Sequence, residues 1–191
     1  FRRVLFRSEA KSLVLDAYGR FSGDMAALGK KFFDHPWIDA PARAGKASGA
    51  FAHPTVPSAH PYLLLNYQGK ARDVMTLAHE LGHGVHQVLA GPRGHLMADT
   101  PLTLAETASV FGEMLTFRAL LEGASASRRK VLLAGKVEDM LNTVVRQIAL
   151  YEFERHVHDE RKAHELLPER FGEIWTKVQG ECLGPAIKLG D

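Results

Sequence analysis

Apolar and polar positions along the chain follow two periods. Over residues 9–34, Leu13, Ala17, Met25, Leu28 and Phe32 recur near helical spacing, predicting a helix that Gly19 and Gly23 weaken. "HPWIDAPARAGKASG" is rich in proline, glycine and small residues and reads as loop. "GAFAH" (49–53) and "PYLLLNY" (61–67) are short apolar runs bounded by Pro and Gly. They read as strands, paired through "PTVPSAHP". Helices are then expected at roughly 71–90, 103–122, 128–163 and 168–182, with "AGPRGHLMADTP" separating the first two. The fold class is mainly α, with a small β-sheet ahead of the helix at 71–90.

On a helical wheel, Val74, Leu77, Ala78, Leu81, Val85, Val88 and Leu89 form one apolar stripe facing a core. His79, His83 and His86 fall together on nearly the opposite face, with Glu80 beside them. Gly82 and Gly84 cost about 1 kcal/mol each relative to alanine in a helix interior. Their presence points to close approach by a ligand or another segment, although helix packing alone can explain one of them.

The spacing of these polar residues carries chemistry. His79 and His83, four apart, stack about 6 Å apart along one face. Two imidazoles so placed can share one metal ion, and a catalytic zinc uses three protein ligands plus water. Glu80, offset in angle, is positioned for a general base on that water, completing a His-Glu-x-x-His pattern. The competing reading is the solvated polar face of an ordinary helix.

A third histidine six residues after His83 is excluded: the family that uses one needs Gly at 86 and His at 89, where this chain has His86 and Leu89. "LTLAETASVFGEML" is the best source of the third ligand. Glu106, 23 positions after His83, would share a helix face with Ser109, Val110 and Glu113, while Leu104, Ala108, Phe111 and Leu115 lie toward the other. Two histidines and one glutamate are a known catalytic zinc set. Ser109 and Glu113 are candidates to hold the ligands in place. By itself Glu106 would read as a favourable charge at a helix N-terminus. His86 is too far along the helix to share one zinc with His79 and is assigned an outer-sphere or substrate role, with a solvated histidine as the alternative. Asp73 is expected to stabilise the N-terminus of its own helix.

Bulk properties narrow the class. The 191 residues are 46% hydrophobic and 24% charged, enough for one substantial soluble domain. No apolar run is long enough to span a membrane. "FRRVLFRS" (1–8) fits no period that continues beyond it and is read as a lead foreign to the natural chain. Setting aside its three arginines takes the formal charge from +2 to −1. Neither a nucleic-acid nor a membrane partner is therefore expected. The lone Cys182 excludes an internal disulfide, favours a reducing, cytoplasmic compartment, and reads as packing rather than nucleophile.

"TLAHELGHGVHQ" followed by "LAETASVFGEML" resembles the zinc peptidases of the oligoendopeptidase F and thimet oligopeptidase group. "GKASGAFAHPTVPSAHPYLLLNYQG" and "ALYEFERHVH" resemble oligoendopeptidase F in particular, and the similarity runs from about residue 9 to the end. The resemblance implies a zincin-like helical core with a deep channel open to short peptides. It implies His79, His83 and Glu106 as zinc ligands, one ion per chain, and Glu80 as the base. It also implies that the strands lie beside the cleft, where an extended peptide can add by main-chain pairing. Gly49, Ala50 and Phe51 are candidates for that contact, and the same strands fit a purely structural role equally. Members of the family are longer, so 9–191 is expected to be a partial catalytic domain. It would lack the N-terminal channel wall and the later segment whose tyrosine and histidine stabilise the oxyanion; Tyr151 and His156 do not match that motif. The rival readings are a carboxypeptidase on the same metal site, a non-catalytic zinc module recruiting His86, and a metal-free helical interaction domain.

Overall fold

The computed structural model describes residues 7–185. Of the lead drawn at 1–8, residues 1–6 lie outside the described residues, and Arg7 and Ser8 open the first helix. The chain forms two compact units, one ending at Ala124 and the other starting at Ser125.

The first unit begins with two helices, α1 (Arg7–Phe21) and α2 (Gly23–Asp34), where a single helix is expected. The break is a cap: Ser22 is extended, and its Oγ accepts a hydrogen bond from Met25 N–H. A three-stranded sheet follows, ordered β1 (Ile38–Pro41), β3 (Tyr62–Tyr67), β2 (Phe51–His53). The two expected strands pair antiparallel, Ala52 opposite Leu63. β1 lies in the stretch read as loop. It runs parallel to β3, and its register shifts between Asp39 and Pro41, where proline lacks the N–H a ladder needs. A four-residue edge strand ending in proline shows no alternation, so only its partner reveals it.

Helix α3 (Ala71–Ala90) occupies the expected span. Asp73 accepts hydrogen bonds from the N–H groups of Gln68 and Lys70, at 2.8 and 2.9 Å, and so secures the N-terminus. A 3-10 turn (Gly91–Arg93) and the short α4 (His95–Ala98) lead to α5 (Leu102–Glu122). The core joins Ala10, Val14 and Tyr18 of α1, Phe32 of α2, Leu63 and Leu65 of β3, and Val74, Leu77, Ala78, Leu81 and Val85 of α3. Val88 packs partly against it, but Leu89, placed in the apolar stripe by the wheel, is 58% exposed. It sits in the last turn, beyond the surface that the sheet and the other helices cover.

The two helix glycines serve packing. A Cβ on Gly82 would stand 2.8 Å from Ala108 O and 2.9 Å from Ser109 Cα of α5. One on Gly84 would stand 2.7 Å from Phe32 Cζ. Neither marks a ligand; each lets a neighbouring element close on α3.

The second unit pairs α6 (Ala126–Arg161) with α7 (Pro168–Leu183) around Ala149, Val157, Leu166, Ile174 and Val178, and Cys182 packs against this small core. Val131, Val137, Met140, Leu141, Val144, Ile148 and Tyr151 of α6 are exposed. Among the described residues, no helix is long and apolar enough to cross a membrane.

Candidate metal centre

α3 and α5 lie against each other because Gly82 admits the α5 backbone and Gly112 of α5 faces Ala78 O and the Tyr18 hydroxyl. That hydroxyl donates to Ala78 O at 2.6 Å, tying α1 to α3 at the same point. Close approach brings α5 carboxylates onto the histidine face of α3.

Glu106 spans the two imidazoles. Its Oε2 lies 3.2 Å from His79 Nε2, and its Oε1 3.5 Å from His83 Nε2. Ligand atoms of His79, His83 and Glu106 all lie within 4.8 Å of one another. A zinc ion with donors about 2.0–2.2 Å away in a tetrahedral array separates them by about 3.3–3.6 Å, close to the two Glu106–histidine distances, and the donor set fits zinc in type.

The surroundings orient the donors. His79 Nδ1 lies 3.2 Å from Glu113 Oε2. Donation of the Nδ1 proton to that carboxylate leaves the Nε2 lone pair aimed at the ligand set. Ser109, fully buried, donates from Oγ to Glu106 Oε2 at 2.9 Å and to Glu106 O at 3.0 Å. His86 is half-buried and stands outside the converging set.

Electrostatics separate the groups. Burial pushes the Glu80 carboxyl above the usual range; nearby Glu106 adds to this, while His79 and the Ala52 backbone oppose it. Burial lowers His79, but the Glu113 hydrogen bond and the charges of Glu80, Glu106 and Glu113 outweigh it, and the net shift is upward. His83 moves down through burial and the repulsion of His79 and His86, against the attraction of Glu106. Glu80 is 7% exposed, beside the set without belonging to it.

The inward face of α5 differs from the expected one at a single position, Val110. Glu106, Ser109 and Glu113 do share the inward side, but Val110, placed with them, is 43% exposed. The apolar Leu104 and Phe111 also face outward, while Ser109, Gly112, Thr116 and Phe117 are buried. Gly49, Ala50 and Phe51 lead into and begin β2, the edge strand next to α3, and Phe51 is 45% exposed. Spacing on α3 did not reveal Gln87, whose Nε2 donates to Ala52 O at 3.4 Å; its heptad distance from Glu80 is the one signal that places it beside the same strand.

The profile of Peptidase family M3 matches residues 23–191. The chain belongs to that family. Within it, the chain is similar to the chromosomal oligoendopeptidase F of Lactococcus lactis subsp. cremoris, at 34% identity over 79% of this chain and 26% of that protein. It is also similar to the oligoendopeptidase F homolog of Borreliella burgdorferi, at 30% identity over 81% of this chain and 27% of that one. The M3 chain thus spans about a quarter of the length of these relatives. Its fold matches the solved structure of PZ peptidase A with a TM-score of 0.76 at 19% identity, covering 93% of this chain and 31% of that one. The mainly helical core with a small sheet ahead of the histidine helix is the expected fold class.

Proposed function

We propose that the chain is part of the catalytic domain of a zinc-dependent endopeptidase that cuts short oligopeptides in the cytoplasm. One observation carries the reading: His79, His83 and Glu106 converge while the buried Glu80 stands beside them. Membership of family M3 and the oligoendopeptidase F relatives support it.

His79, His83 and Glu106 would hold one zinc ion, with Glu113 and Ser109 fixing the orientation of His79 and Glu106. When bound, zinc supplies Lewis-acid polarisation of a scissile carbonyl. Glu80 takes the proton of the attacking water and passes it to the leaving amine, a role its raised affinity for protons suits. Main-chain pairing along β2, through Gly49, Ala50 and Phe51, would align an extended peptide, which favours oligopeptides over folded proteins. A metal-free interaction domain would not need two imidazoles and a carboxylate turned inward together. His86 stands outside the converging set, which argues against a closed four-ligand module.

Zinc per chain, measured by elemental analysis, tests the site. About one ion in the natural chain and clear loss in Glu106→Ala are expected; a folded, metal-supplied chain without zinc would overturn the reading. In an active preparation, a peptide with a blocked C-terminus separates an endopeptidase, which still cuts it, from a carboxypeptidase.

A further inference from the structure

β2 is an edge strand, with β3 on one side only. Its outward N–H and C=O groups would ordinarily be free. The register identifies them. Leu63 N–H donates to Trp37 O at 2.8 Å, on the β1 side, so the Leu63 backbone turns away from β2. Leu63 is the partner of Ala52. That pair is therefore the one without mutual hydrogen bonds, and Ala52 directs both its groups outward, away from β3.

Two side chains of α3 face them. Gln87 Nε2 donates to Ala52 O at 3.4 Å, and the Ala52 backbone lies near enough to the Glu80 carboxylate to favour its charged form. An acceptor on the N–H and a donor on the C=O are what one residue of an added strand would present. With residues 80 and 87 seven apart on one face, α3 imitates that residue using side chains.

Further observations show which partner can yield. The Gln87 contact is at the long limit of a hydrogen bond. Gln87 Oε1 is buried and has no partner among the described residues, an orphan acceptor that a bound donor would satisfy. The strand itself is held from behind. Lys46, whose side chain is 4% exposed, donates from Nζ to Asp39 O, Pro41 O and Leu65 O at 2.8, 3.0 and 2.5 Å. Asn66 Nδ2 donates to Ala47 O and Gly49 O, both at 2.9 Å. Gly49 supports this loop at φ 83°, a left-handed conformation that suits glycine. The approach to β2 is fixed, so competition for its edge is decided by the α3 side chains.

We propose that Glu80 and Gln87 form a substrate-displaced latch on Ala52: an extended peptide adding to β2 takes over both backbone groups, moves Gln87 aside and frees the Glu80 carboxylate for its role as base. This rests on the peptidase reading of the site. It makes Gln87 a competitor of the substrate rather than one of its anchors.

The test uses the 15N-labelled chain, stripped of metal with a chelator to prevent cleavage, and a hexa-alanine peptide blocked at both ends. Ala50 and Ala52 amide resonances report binding. Gln87→Leu, which keeps the bulk and removes the donor, is expected to lower the peptide Kd by about two- to tenfold, the worth of one hydrogen bond. Gln87→Ala is expected to do the same and serves if the first variant does not fold, which the Leu81 and Val85 amides report. An unchanged or higher Kd, with Ala52 still shifting, would overturn the latch and leave the peptidase reading intact. No shift at Ala52 in any of the proteins would also overturn it, and zinc titration of the same samples then judges the peptidase reading separately.

Discussion

On α3 the residues that reach the core are the apolar ones that the hydropathy pattern selects: Val74, Leu77, Ala78, Leu81 and Val85. On α5 the buried residues are Ser109, Gly112, Thr116 and Phe117, while Leu104, Val110 and Phe111 are exposed. Both helices supply the same ligand set. They differ in what brings them there. α3 is driven inward by apolar burial from the sheet, α1 and α2. α5 is admitted where its backbone can nearly touch α3, at Gly82 and Gly112. Hydrophobicity locates a face that fills a core, and it is silent about a face selected for smallness. The carboxylates follow from that silence, since Glu106 and Glu113 reach the histidines only because the helix axes come close.

Chemistry resides on the α3 face and fit at the α5 contact, and separate substitutions disturb each. The largest effect is expected at Glu80. Glu80→Gln should retain zinc yet lower peptide turnover by about 10²- to 10⁴-fold, the usual worth of a general base. Elemental analysis beside steady-state kinetics, in a preparation that cleaves peptides, measures both; full activity would remove Glu80 from the mechanism.

Gly82→Val follows. Its new side chain meets backbone atoms of Ala108 and Ser109, which cannot rotate away. A loss of about 1–3 kcal/mol in urea unfolding is expected, with weakened zinc binding as α5 is pushed out. Glu113→Ala leaves the glycine contact intact and removes the partner of His79 Nδ1, so zinc affinity should fall about 10- to 100-fold at nearly unchanged stability. Competition with a chelator of known affinity reads this, and equal loss of stability would show that Glu113 serves packing instead.

Tyr18 gives a pH-dependent prediction. Burial raises its pKa well above the usual value, so the fold holds the phenol neutral. An unfolded tyrosine ionises near pH 10. The contribution of Tyr18 is therefore complete below about pH 10 and is lost as pH rises beyond it. Tyr18→Phe should flatten the fall in stability between about pH 9 and 11, as followed by urea midpoints. The smallest effect belongs to Leu104→Ser, which lies on the exposed side of α5 and should change stability by no more than about 0.5 kcal/mol.

Local order was legible wherever it depends on neighbours along the chain. The spans of α3 and α5, the pairing of β2 with β3, the Asp73 cap and the shared face of His79 and His83 follow from residues close along the chain, because helical and strand periods act over a few residues. The rest depends on contacts between segments far apart in the chain. The break at Ser22 is a backbone choice that Gly19 and Gly23 merely permitted. β1 exists because β3 offers it a partner across 20-odd residues of chain. Gly82 and Gly84, ambiguous between ligand and packing, are resolved by what stands opposite them. The 3.2 and 3.5 Å contacts of Glu106 and the approach of Glu80 and Gln87 to Ala52 depend on distances between elements, which close packing sets and periodicity does not encode.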